Sequence, residues 1–209
     1  MIGRYVVLFL CLAAPAAARC VTAADLVDGV MFTRAGGQEG SVISAGRNEV
    51  QISYRHGDRE NFDRRTARLG VYETRQMTGS FPSDVIGVWS ETEATFAYQG
   101  RLPVPQPGET WETVVRVEQN TSDHSGTPKR DRGRFNVQFV FLDLQEVTLD
   151  GCSYRMIPVE ARFDGEVTTI VQRQAYFPDL GFGIETQVSY PETGVVHSNG
   201  IVSLRPVAG

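Results

Sequence analysis

The chain has 209 residues, 20 Lys and Arg against 25 Asp and Glu, a formal charge of −5, and 41% hydrophobic residues. A modestly acidic chain of this size gives no electrostatic reason to expect nucleic acid, and it is long enough to bury one substantial core. Only Lys129 among the basic residues is a lysine; the arginines are scattered through the chain, which fits a coding bias better than an anion-gripping role.

The N-terminus, MIGRYVVLFLCLAAPAAARC, places one basic residue, Arg4, before a short apolar run and then small residues. This is the pattern of a secretory signal peptide. The run falls short of the roughly 20 apolar residues that span a bilayer, and Ala14, Ala16 and Ala18 supply small residues for cleavage after Ala16 or Ala18. The expected organisation is a signal peptide over residues 1–18 and a single β domain over 19–209, periplasmic or secreted, with no membrane span. Arg19 and Ala17 before Cys20 argue against a lipid anchor there. Cys11 leaves with the leader, so Cys20 and Cys152 remain in an oxidising compartment and are expected to bond to each other. Closing so long a loop is worth on the order of 5 kcal/mol in the chain-entropy account.

After Cys20, VTAADLVDG allows one helical turn from Thr22 before Gly29 ends it. Beyond Gly29 the dominant signal is period two, the signature of half-buried strands. Val30 and Phe32 alternate with Met31 and Thr33. Over 49–55, Val50, Ile52 and Tyr54 face a core while the residues between them face water, and His56, Gly57 and Asp58 turn the chain. RENFDRRTARL, residues 59–69, has too few apolar residues for a buried face and reads as a loop or a polar edge strand. Strand patterning resumes over 70–79 and 87–98, where Ala94, Phe96 and Tyr98 share a face. Pro103, Pro105 and Pro107 then impose an extended connection.

Trp111, Thr113, Val115 and Val117 mark a further strand over 110–118. Residues 119–133 carry many turn formers and no apolar period, so a long exposed hairpin loop is expected there. Phe135, Val137, Phe139 and Phe141 share one face, Leu142 and Leu144 take the other, and Val147 and Leu149 restore the first. This slip predicts a bulge near Asp143 or a strand buried on both faces. Ile157, Val159, Ala161 and Phe163 form the next apolar face. At Asp164-Gly165 a two-residue turn would pair Phe163 with Glu166, and a three-residue turn would pair it with Val167. Strands over 184–190 and 195–204 follow, joined through PETG. An eight-residue echo links LGVYETRQ (69–76) with LGFGIETQ (180–187); coincidence accounts for so short a match more simply than a duplicated half-barrel.

No nucleophile elbow, phosphate loop, dinucleotide fingerprint or zinc-protease helix motif occurs. His56, His124 and His197 lie far apart in expected turns, so no metal ligands and no cofactor are assigned. A bonded Cys20 and Cys152 leave no thiol nucleophile, so no catalytic residue is assigned. Glu91 with Glu93 and Glu109 with Glu112 form carboxylate pairs better explained as solvent-facing strand positions. Lys129, Arg130, Arg132 and Arg134 are offset by Asp123 and Asp131 and lack interleaved aromatics. Aromatics are the remaining candidates: Trp89, Phe96, Tyr98, Trp111, Phe139 and Phe141 would line an apolar cavity if the sheet curls without being plugged.

The strand meander, with PGETW at 107–111 and YFPDLGFG at 176–183, resembles β-rich exported periplasmic proteins of Gram-negative bacteria, a group that brings no activity with it. The expected fold is all-β with little helix: an antiparallel curved sheet, open β-barrel or sandwich of about ten to twelve strands. The expected function is that of a non-catalytic cell-envelope protein binding an apolar small molecule. A protein-interaction or structural envelope component, with an envelope protein as partner, comes second, and a hydrolase of unrecognised type third.

Overall fold

The computed structural model describes residues 19–55, 61–80 and 89–207; the expected leader at 1–18 and the turn containing His56 lie outside the described residues. A 3-10 turn over Ala23–Leu26 follows Thr22, whose amide and hydroxyl both donate to the Asp25 carboxylate at 2.7 and 2.8 Å. Everything else regular is strand: β1 (Val30–Arg34), β2 (Glu39–Gly46), β3 (Glu49–Arg55), β4 (Phe62–Arg68), β5 (Tyr72–Ser80), β6 (Ser90–Tyr98), β7 (Thr110–Asp123), β8 (Lys129–Phe141), β9 (Gln145–Leu149), β10 (Cys152–Asp164), β11 (Thr169–Phe177), β12 (Phe182–Tyr190), β13 (Val195–Ser198) and β14 (Ile201–Pro206). No described helix is long and apolar enough to cross a membrane.

The fold is the all-β, antiparallel curved sheet that the period-two pattern predicts, with fourteen strands among the described residues where about ten to twelve were expected. Each strand pairs with its predecessor, except that β9 lies against the first half of β10, β8 against the second half, and β14 returns beside β1. Among the described residues no ladder of paired strands closes the sheet, and β13 and β14 are its edges. The expected strand over 195–204 is therefore two strands at opposite edges, separated only by Asn199 and Gly200. Those two residues hold the seam: the Asn199 amide donates to the Thr186 carbonyl and the Ala35 amide to the Gly200 carbonyl, both at 2.7 Å.

The phase slip at Asp143 is a bulge. Phe141 pairs with Val159 and Gln145 with Met156, so three residues oppose two, and Leu142 and Leu144 turn outward to 45% and 42% exposure. Burial on both faces is thereby ruled out. Two other expectations are overturned. Residues 119–133 form no long loop; β7 and β8 run as a tall hairpin paired out to Thr121 and Lys129, because cross-strand ion pairs such as Arg130 and Arg132 on Glu118 replace an apolar period. The turn after Asp164 has four residues, with Phe163 paired to Ile170 and Val159 to Gln174, and the Gly165 amide closes it on the Thr168 carbonyl. Neither shorter register occurs, and Val167, which one of them would have buried, stands 93% exposed at the tip.

Two apolar clusters fill the curl. One joins Val30, Phe32, Val50, Ile52 and Tyr54 to Leu149, Tyr154, Phe177, Phe182 and Ile184. The other joins Tyr72, Val115, Val137, Phe139 and Phe141 to Ile157, Val159 and Tyr176. The Cys20–Cys152 disulfide is formed, with 5.6 Å between α-carbons, and it ties the N-terminal segment to β10. Beside it the Val21 amide donates to the Tyr154 phenol at 3.0 Å.

Candidate functional site

β4, expected as a loop or an edge, is an interior strand between β3 and β5. Its polar residues do not all face water. Arg65 is only 15% exposed and is gripped from several sides. Its Nε and Nη2 donate to Asp63 at 3.1 and 2.8 Å, its Nη1 donates to Glu185 Oε2 at 2.7 Å, and Glu73 Oε2 lies 3.6 Å from Nη1. Arg34 on β1 adds a second buried cation, donating to the Glu185 carbonyl at 2.5 Å and to Gln38 Oε1 at 3.0 Å. Both guanidinium groups cover the Tyr54 ring, at 4.3 and 5.0 Å from its centre. Strands from both ends of the sheet thus converge on one ion cluster.

Local backbone irregularities aim these carboxylates. The β4–β5 register shifts between Thr66 and Ala67, leaving Thr74 unpaired, and the β11–β12 register shifts between Arg173 and Gln174, leaving Thr186 unpaired. In each bulge the threonine hydroxyl donates to a carbonyl of the preceding strand, Thr74 to Thr66 at 3.1 Å and Thr186 to Arg173 at 3.2 Å. The residue before each bulge is a glutamate, Glu73 or Glu185. The Glu-Thr shared by the two echoed segments is therefore the feature that places two glutamates on one arginine, and a bulge is a recurrent means of re-aiming a side chain.

The cluster forms one end of a cavity of about 290 Å³. Its apolar wall includes Phe96, Tyr98, Val117, Phe135, Phe163 and Ile170, and its polar end includes Arg65, Glu73, Gln76 and Glu185. This lies at the lower end of the roughly 300–1,000 Å³ typical of small-molecule sites, which are mostly apolar with a few converging polar groups. Burial, opposed by Arg65 and reinforced by the neighbouring Glu185 and Asp63 charges, pushes the Glu73 carboxyl from 4.5 up to about 7. Burial and the nearby Glu73 charge also raise the Tyr98 phenol. Glu73 Oε1 is fully buried with no hydrogen-bond partner among the described residues. A strongly shifted carboxyl in a cavity is a frequent mark of a functional site.

Of the aromatics expected at a cavity, Phe96 and Tyr98 line it. Trp111 packs behind Tyr98 with its ring centre 6.4 Å away, and Phe139 and Phe141, at 0% and 1% exposure, belong to the core beneath. Trp89 is half-buried at the base of the β7–β8 turn, where its carbonyl accepts from the His124 amide. His124 and His197 are exposed. Glu93 pairs with Arg75 at 2.7 Å and Glu112 accepts from Gln138 at 2.9 Å, both on the surface. Sequence reasoning missed Asp63, Arg65, Glu73 and Glu185 because polar residues in a strand were assigned to solvent; the Glu-Thr echo was the one available signal.

A second hollow of about 270 Å³ lies beside the β8–β9 bulge, among Leu142, Val147, Met156, Pro158, Phe177 and Ile201. Its lining is mostly apolar, and the two charged residues on it, Glu160 and Arg173, are bonded to each other at 3.0 Å, so it defines no recognition chemistry. In comparisons with protein-family models, curated proteins and solved structures, the chain matches none of them.

Proposed function

We propose that this chain is an exported, non-catalytic protein of the cell envelope that holds a small amphipathic molecule in the cavity between β4–β8 and β10–β12. The observation that carries the reading is the cavity's two-ended chemistry. Phe96, Tyr98, Val117, Phe135 and Phe163 offer an apolar wall, and the rest of the lining includes a buried charge cluster in which one carboxylate oxygen has no partner among the described residues. Small-molecule sites combine such walls with a few placed polar groups. The signal-peptide pattern and the Cys20–Cys152 bond support a periplasmic or extracellular setting, because disulfides persist in oxidising compartments. The likeness to exported β-rich proteins of Gram-negative bacteria agrees with that setting.

A second reading, as a protein-interaction component, rests on β13. This edge strand is exposed at all four residues, including Val195 and Val196, and an open edge accepts another strand by main-chain pairing. Native mass spectrometry of protein purified from its own compartment separates the two. The cavity reading expects a retained adduct of a few hundred daltons; a retained partner chain with an empty cavity would favour the second reading and set the first aside.

A further inference from the structure

We infer that the molecule held in this cavity is an organic cation, an apolar primary amine or a close relative, and not a fatty acid or other anionic amphiphile. This rests on the cavity reading above and assigns its ligand class. The argument is the balance of donors and acceptors at the polar end. Arg65 is the cation on the cavity wall, and it is already engaged: Nε and Nη2 donate to Asp63, and Nη1 to Glu185. Arg34, the other buried cation, is not on the wall; its Nη groups are taken by Gln38 and the Glu185 carbonyl, and its Nε is buried with no hydrogen-bond partner among the described residues. The other donors on the wall, the amides of Gln119 and Gln172 and the phenols of Tyr98 and Tyr190, are neutral, so a carboxylate or phosphate headgroup entering the cavity would meet Glu73 and Glu185 with the one guanidinium on the wall already engaged.

The acceptors, in contrast, are in excess. Asp63, Glu73 and Glu185 face Arg65 and Arg34, three carboxylates to two guanidinium groups. Asp63 is satisfied by Arg65 and by the Gln76 amide at 3.2 Å, and Glu185 by Arg65. Glu73 makes only the 3.6 Å approach to Arg65 through Oε2 and leaves Oε1 with no hydrogen-bond partner among the described residues. A buried acceptor without a donor is unfavourable by itself and becomes favourable when a ligand supplies the donor. Glu73 lines the cavity and the terminal torsion of a glutamate is soft, so its carboxylate can turn to meet a donor there. There an ammonium group completes the cluster, while its chain lies against Phe96, Val117, Phe135 and Phe163.

The other groups facing Glu73 act in both senses. Arg65 on β4 favours the ionised form, Asp63 on β4 and Glu185 on β12 oppose it, and the Tyr98 phenol on β6 lies beside it. An incoming cation removes the cost of ionising Glu73, so amine binding is coupled to release of its proton.

The test is isothermal titration of the full mature chain at pH 8 with three probes of one chain length: n-decylamine, n-decanol and n-decanoate. The amine is expected to bind at least tenfold more tightly than decanoate. Glu73→Gln is expected to bring the amine down to the level of decanol, with an intact fold by circular dichroism. Amine affinity in the wild type is expected to fall by up to about tenfold from pH 8 to pH 6, as Glu73 takes up a proton, and to stay level in Glu73→Gln. Decanoate binding as tightly as the amine, or amine binding insensitive to Glu73→Gln, would overturn the ligand class while leaving the cavity reading in place. Failure of all three probes to bind would overturn the cavity reading itself and the inference with it.

Discussion

Gly70 and Gly183 stand backbone to backbone across the curl of the sheet, so near that a Cβ on Gly70 would lie 2.3 Å from the Gly183 nitrogen and 2.4 Å from its oxygen. The contact brings the β4–β5 turn against β12, a few residues from where Arg65 bridges to Glu185. Close approach of two backbones and a left-handed φ of +66° at Gly70 both require the absence of a side chain.

Gly70→Ala is therefore expected to be far more damaging than a substitution at a glycine that is left-handed but open. Gly108, with φ +78° and nothing near its Cβ position, serves as the reference. Gly108→Ala should cost about 1–2 kcal/mol through backbone strain alone. Gly70→Ala adds a backbone clash that overpacking data place at about 1–3 kcal/mol or more. Urea unfolding of the two variants checks the difference, and equal midpoints would mean that the Gly70–Gly183 contact does not constrain the fold.

Stability should fall with rising pH because of Glu73. Its carboxyl is raised from 4.5 to about 7 on folding, chiefly by burial. The folded state thus holds a proton that the unfolded state has released. The contribution is fully present below pH 4.5 and is lost as pH rises through 7, with a ceiling of about 3 kcal/mol. Glu73→Gln should flatten this part of the profile and be more stable than the wild type at pH 8. Urea unfolding at pH 5, 6, 7 and 8 reads it out; an unchanged slope in the variant would assign the effect elsewhere.

Removing the disulfide should loosen the N-terminal segment first. Cys20 and Cys152 replaced by serine are expected to lower stability by about 2–5 kcal/mol. In hydrogen exchange, the Val21 amide, bonded to the Tyr154 phenol at 3.0 Å, should lose protection before the amides of β10 and β11 do. Uniform loss of protection would instead make the cross-link a global determinant.

The two aromatic roles separate by mutation. Phe139→Ala, at a site with 0% exposure and ring contacts to Tyr72, Tyr98 and Trp111, should cost about 3–5 kcal/mol. Phe96→Ala, on the half-buried cavity wall, should weaken apolar-probe binding with a smaller loss of stability. Thermal melts and probe titrations on the same preparations compare them.

Much of the fold was legible because period two reports burial directly. Val50, Ile52 and Tyr54 are buried where their alternation puts them, and the slip from Phe141 to Leu142 is the bulge it predicts. The site was legible only at its apolar wall, in Phe96 and Tyr98. Its polar end was hidden for a physical reason: alternation identifies an inward face only when that face is apolar, and Arg65 points inward because Asp63, Glu73 and Glu185 compensate its charge there. Asp63 lies two residues away on the same strand, while Glu73 and Glu185 are brought by β5 and β12, the latter distant in sequence, through bulges at Thr74 and Thr186 that alternation cannot register. The same limit concealed the strand character of 119–133, where cross-strand pairs such as Arg130 with Glu118 stand in for an apolar period.

The central claim, that the cavity itself binds, is tested most directly by filling it. Val117 on β7 lines the apolar wall, and Val117→Phe places extra volume there without adding charge. The neutral apolar probe N-phenyl-1-naphthylamine is titrated into wild type and variant, with fluorescence as the readout. Saturable one-to-one binding to the wild type, lost in a Val117→Phe variant that still melts cooperatively, is the predicted result. Equal binding to both proteins, or no binding to the wild type, would contradict it.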